Sequence, residues 1–150
     1  MSHVANVEVS INDLSALQSA CAVLGLHFKH GQCTYKWFGK FLNDWHTGDA
    51  AVENGYDAKT FGTCEHAISV PGSDYEIGVV KNPNGTGYRL IYDVYGSEGQ
   101  AIKDKLGGTH LTKLKTEYGT SVARRHLQRG GYRVVRRVLS NGTVKLTGVK

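Results

Sequence analysis

The sequence predicts an α+β fold, a two-layer sandwich with a mostly antiparallel sheet and two main helices on one face. Three observations predict it. Segments 14–24 and 111–128 carry apolar residues at helical spacing. Three short runs within 64–95 alternate with a period of two or are rich in β-branched and aromatic residues. A closing pair of runs flanks Asn141-Gly142, a strong hairpin signal. The 150 residues suit one domain, 1–150, with a long loop or insertion at about 39–63.

In chain order, Val4, Val7 and Val9 mark a first strand over 3–9. Asn12 or Asp13 then caps a helix, because a short side-chain oxygen accepts from the free amides of a first turn. Leu14, Leu17, Cys21 and Leu24 form its core face, and Gly25 ends it. Residues 26–28 read as a brief strand and 34–38, with Thr34, Tyr35 and Phe38, as a better one. Residues 39–63 show no sustained period, although Trp45, Tyr56 and Phe61 suggest that the loop packs down.

Strands are expected over 66–70, 75–80 and 88–95. Tyr88, Leu90, Tyr92 and Val94 share one face, apposed by Tyr75, Ile77 and Val79. The other face, with Glu76, Arg89, Ile91, Asp93 and Tyr95, reads as half wet. A helical turn at 101–106 precedes the second main helix, which Thr109 is expected to cap. Leu111, Leu114, Tyr118 and Val122 form its apolar side, which also carries Arg125. Lys113, Glu117 and Arg124 fall on the solvated side. For 132–139 and 143–149, a two-residue turn at Asn141-Gly142 pairs Leu139 with Val144 and Arg137 with Leu146. Neither face of the hairpin is then cleanly apolar.

Charge is distributed unevenly. Residues 1–100 hold 6 Lys/Arg against 11 Asp/Glu, and residues 101–150 hold 12 against 2. A basic end of this kind suits an acidic protein surface or nucleic acid, or else neutralises the acidic half locally. The candidate partner-binding residues are Lys113, Lys115, Arg124, Arg125, Arg129, Arg133, Arg136 and Arg137, since clustered guanidinium forks chelate phosphate. Three cysteines with no secretory leader pattern argue against a disulfide framework and for a cytoplasmic setting. No apolar run approaches the ~20 residues of a membrane span.

Chemistry-bearing constellations are sparse. His27, His30 and Cys33, with Cys64 and His66 further on, have zinc-type donors but lack a paired C-x2-C. Without that pair they read as solvated or packed side chains rather than as a metal site. His66, Asp74 and Glu76 are the weak candidates for metal-dependent catalysis. No phosphate loop, dinucleotide fingerprint, nucleophile elbow or H-E-x-x-H occurs. No catalytic residue, cofactor or metal is assigned.

The segments MSHVANVEVSINDLSALQSACAVLGL, GTCEHAISVPGSDYEIGVV, GYRLIYDVYG, LTKLKTEYGTSVARRHLQRGGYRVV and NGTVKL occur in order over most of the chain. Together they resemble the hypothetical chloroplast open reading frame 35 family, also called domain of unknown function 1257. Residues 43–60 look like an insertion relative to the plastid forms. The insertion and the CEHAISVPG wording are closer to the bacterial and phage branch. The resemblance implies a small intracellular domain and carries over no catalytic residues. The expectation is a non-enzymatic accessory or phage-encoded factor that binds an acidic protein or nucleic acid through its basic end. The alternatives are a small-ligand or nucleotide pocket under the 39–63 loop, and a metal-dependent enzyme.

Overall fold

The computed structural model describes residues 4–37, 62–83 and 85–150. Of the predicted 39–63 loop, only Gly62 and Thr63 are among them, so the pocket expected beneath it lies outside the described residues. The elements run β1 (Val4–Ile11), α1 (Leu14–Val23), β2 (His27–Lys29), β3 (His66–Ser69), β4 (Glu76–Lys81) and β5 (Tyr88–Asp93). Helices α2 (Gly96–Leu106) and α3 (Thr112–Arg129) and strands β6 (Arg133–Val138) and β7 (Val144–Val149) follow. The fold is α+β, as predicted. The helical turn expected at 101–106 is a full third helix.

Five strands form one antiparallel sheet in the order β1-β5-β4-β3-β2. Helix α1 leaves one edge strand and delivers the chain to the other. Its 10 residues span about 15 Å, close to the roughly 19 Å width of five strands. Asp13 Oδ1 accepts from the Ala16 amide at 3.0 Å and caps the helix, as the sequence suggests.

The helices cover one face of the sheet. Leu17, Ala20 and Cys21 of α1, Ile102 and Leu106 of α2, and Leu111 and Leu114 pack on Val7, Ile11, Ile68, Ile77, Val79, Leu90 and Tyr92. The predicted row of Leu90 and Tyr92 opposite Ile77 and Val79 is therefore core. The opposite face is drier than expected, although Arg89 is half-buried and Tyr95 exposed. Tyr35 and Cys64, with Trp37, lie over Ala67 and Ile91, and Glu76, Ile91 and Asp93 are all buried. Gly78 permits this cover, since a Cβ there would stand 2.6 Å from the Tyr35 ring. The strand predicted over 34–38 reduces to a bridge between Thr34 and Thr63, with Phe38 outside the described residues.

Helix α3 departs from its predicted geometry in two ways. Thr109 is not the cap. Its carbonyl accepts from the Tyr92 hydroxyl at 2.7 Å, and Leu111, fully buried in a left-handed conformation (φ 53°), stands at the helix start. The buried positions of the helix are Leu114, Glu117 and Ser121, while Val122 is exposed. The helix has neighbours on two sides: α1 against it within the sandwich, and the β6–β7 hairpin on its outer flank. The hairpin turns Glu117 from a surface group into an interior one. No helix among the described residues is long and apolar enough to cross a membrane.

Candidate anion-binding surface

Three polar ties position the basic third. The Tyr118 hydroxyl accepts from the backbone amides of Asn12 (3.0 Å) and Asp13 (3.3 Å), fastening α3 to the β1–α1 junction. Asp13, already the α1 cap through Oδ1, meets Arg125 Nε through Oδ2 at 3.5 Å. Arg125, which the helical period places on the apolar side of α3, thus has its head at a carboxylate of α1's cap. Arg136 forks onto Glu117, Nη1 to Oε2 at 2.9 Å and Nη2 to Oε1 at 2.5 Å, and joins β6 to α3. That bidentate pair raises the Arg136 pKa above its ordinary value.

The ties leave a groove of about 530 Å³ between α1, α3 and β6. Arg124, Arg125, Arg129 and Arg136 line it, with Ser19, Val23, Thr120, Ser121 and Gln128. Four of the eight predicted residues therefore converge. Arg124 and Arg129 form no ion pair among the described residues. Lys113 belongs to a second groove of about 540 Å³ between the start of α3 and the hairpin tip, which Thr112, Thr116, Asn141 and Thr143 also line. Lys115, half-buried on α3, lines neither groove.

Arg133 and Arg137 lie on the outer face of the hairpin because of its register. The observed pairs are Val138 with Val144, Arg137 with Lys145 and Arg136 with Leu146, one residue away from the predicted alignment. The turn takes in more than Asn141-Gly142: the Leu139 amide donates to the Thr143 carbonyl at 2.8 Å, and the Gly142 amide to the Leu139 carbonyl at 2.9 Å. Only Gly142 has a positive φ (85°), so Asn141 does not adopt the conformation expected of it. A one-residue shift exchanges faces along the strand. Val134, Val144 and Leu146 turn inward, half-buried, with Arg136 among them. Arg133, Val135 and Arg137 turn outward beside Lys145 and Val149. Lys145, absent from the predicted set, joins it here, and only the register could have shown this. After Glu117 the sequence contains no Asp or Glu.

The remaining candidates do not assemble into a catalytic or metal centre. Glu76 shares a sheet face with Ser69, its cross-strand partner, whereas His66, three residues earlier, is on the other face. Asp74 is exposed outside the strands and its amide donates to Glu98 Oε2. Glu76 instead accepts from Lys29 Nζ (2.9 Å), the Lys36 amide (3.0 Å) and Gln32 Nε2 (3.1 Å). Burial raises its pKa, but these donors outweigh burial and hold the carboxyl below its ordinary value.

His66 packs among Phe28, Tyr88 and a stacked His30 at 4.5 Å, and its Nδ1 accepts from the Gly31 amide. Burial, then the neighbouring His30, lowers its pKa. Cys64 is pushed up to about 12 by burial first and Cys33 second, so its thiol stays protonated. His27 is exposed on β2. Among the described residues, no three His, Cys, Asp or Glu side chains are grouped to hold a metal.

No family model, curated protein or solved structure matches the chain.

Proposed function

We propose that this is a non-enzymatic binding protein that engages a polyanionic partner, a nucleic-acid strand or an acidic protein surface, through its basic C-terminal third. The outer face of β6–β7 carries this reading. Arg133, Arg137 and Lys145 stand there together, and Arg137 lies directly opposite Lys145. Like charges facing one another across a strand pair destabilise it, and a bound anion reverses that sign. Val135 and Val149, 46% and 36% exposed, add apolar contact beside the charges. A two-stranded ribbon is also an element that the major groove of duplex DNA admits.

The ordered sequence segments that resemble the chloroplast open reading frame 35 family support a place in its bacterial or phage branch. Free Cys21, Cys33 and Cys64 suit an intracellular setting. Titration with single- and double-stranded oligonucleotides and with polyglutamate tests the binding. For three phosphate contacts on duplex DNA, affinity falls about 40-fold between roughly 50 and 200 mM salt. Combined Arg133→Gln, Arg137→Gln and Lys145→Gln removes most of that dependence. Salt-independent binding, or a triple variant that binds as tightly as the parent, contradicts the proposal. Binding of polyglutamate alone assigns the acidic-protein arm.

A further inference from the structure

The groove between α1, α3 and β6 has chemistry of its own, distinct from the hairpin's outer face. Its volume, about 530 Å³, falls in the range of small-ligand sites. Asp13 offsets Arg125 and Glu117 offsets Arg136. Arg124 and Arg129 therefore leave a formal surplus of two positive charges. A phosphate monoester carries about −1.5 to −2 at pH 7, whereas an internal phosphodiester carries about −1.

The two paired arginines still have donors to give. A guanidinium has about five N–H groups. Arg136 meets Glu117 through its two terminal nitrogens, one bond from each, and Arg125 meets Asp13 through Nε. Their carboxylates fix them in place before any ligand arrives, which lowers the ordering cost of binding. Ser121 is a further observation of the same kind. It is 9% exposed, lines the groove, and its hydroxyl has no hydrogen bond among the described residues. Val23, 55% exposed at the rim, supplies an apolar wall.

We propose that this groove binds a phosphate monoester, with Arg124 and Arg129 as the forked donors and Ser121 as a hydroxyl donor. The monoester could belong to a free nucleotide or to the phosphorylated end of a nucleic-acid strand. The inference deepens the polyanion reading above and rests on it for the sign of the charge, but it uses different side chains.

Calorimetric titration of the full chain at fixed ionic strength, with AMP and with adenosine, tests the site. AMP is expected to bind and adenosine not. Arg124→Gln and Arg129→Gln are each expected to weaken AMP about tenfold or more. Ser121→Ala weakens it less, and Lys105→Gln on α2, which removes a charge away from the groove, leaves it unchanged. A melting curve for each variant confirms that it is folded.

A second titration compares a 5′-phosphorylated oligothymidylate with its 5′-hydroxyl form. Tighter binding of AMP assigns a free nucleotide and tighter binding of the phosphorylated strand assigns a nucleic-acid end; both support the site. Binding of adenosine as tightly as AMP, or unchanged AMP binding in the folded Arg124 and Arg129 variants, overturns it. Failure of AMP, with the 5′-phosphorylated and 5′-hydroxyl strands binding alike, overturns the groove and leaves the polyanion reading standing. Failure of every anion overturns both.

Discussion

Strands β4 and β6 have the same length of six residues and the same antiparallel pairing, yet they sit in opposite surroundings. Strand β4 is covered on both faces, by helices on one side and by Tyr35 and Cys64 on the other. Its buried charge, Glu76, is engaged by Lys29, Gln32 and Lys36, and its other charge, Lys81, stands exposed at the strand end. Strand β6 is covered on one face only. Its inward charge, Arg136, is paired, while Arg133 and Arg137 face out and form no ion pair among the described residues. Each sheet even has a tyrosine lying over a strand glycine. A Cβ at Gly78 would meet Tyr35 at 2.6 Å, and one at Gly148 would meet Tyr132 at 3.0 Å. The first ring is 3% exposed and the second 36%. Burial forces charges to find partners within the fold, so the region where they do not is the region free to bind.

The sharpest way to break this comparison is to empty both strands equally. Ile77→Ala is expected to cost about 2–5 kcal/mol in chemical denaturation, because it leaves a cavity in a sealed core. Val135→Ala should stay within about 0.5 kcal/mol; similar costs at the two positions would mean that the hairpin is not an outer layer. Next in size is Glu117→Gln. It leaves Arg136 without its carboxylate and is expected to cost about 1.5–3 kcal/mol, the range for hydrogen bonds to a charged group. Most of that cost should vanish in a double-mutant cycle with Arg136→Met, and a cycle without coupling would deny the tie between β6 and α3.

A smaller effect follows from pH. The folded pKa of Glu76 lies below its ordinary 4.5, so the unfolded chain takes up that proton first. Its stabilisation is present above about 4.5 and is lost as pH falls through the folded value. His66 also has a folded pKa below its ordinary 6.5. The unfolded chain is thus protonated first as pH falls below about 6.5, and stability declines from there to the folded value. Unfolding curves against pH should lose the lower limb in Glu76→Gln and the upper one in His66→Gln.

The smallest change is the most telling. Arg137→Thr should stabilise the hairpin by about 0.2–1 kcal/mol by relieving the charge opposite Lys145, while weakening oligonucleotide binding. A variant that is both less stable and equally competent in binding would reverse the reading of that face.

Much of the fold was legible in the sequence wherever one periodicity dominated. The core face of α1 and the row of Leu90 and Tyr92 opposite Ile77 and Val79 follow from spacing alone, whereas for the cap the sequence offers Asn12 or Asp13 and the structure uses Asp13. Misreadings fall where an element has two neighbours. A helical period marks one buried side of α3, so Glu117 reads as solvated until the hairpin is laid on it. The half-wet face of β4 and β5 reads as polar until Tyr35 and Trp37 cover it. The candidate site was legible as composition and only partly as place. Arg124, Arg125, Arg129 and Arg136 converge, Arg133 and Arg137 turn away, and Lys113 and Lys115 lie elsewhere.

By itself, the amino-acid sequence determined the fold class, the helical and extended segments, and the gathering of cations after residue 100. These depend on local spacing and on composition, which the chain carries in any conformation. Tertiary structure decided which cations are used up and which are left over. Asp13 reaches Arg125 from over a hundred residues away, and Glu117 reaches Arg136 only because one extra residue in the hairpin turn sets the register. Charge neutralisation is a matter of distances of a few ångströms between remote segments, and no local pattern contains them.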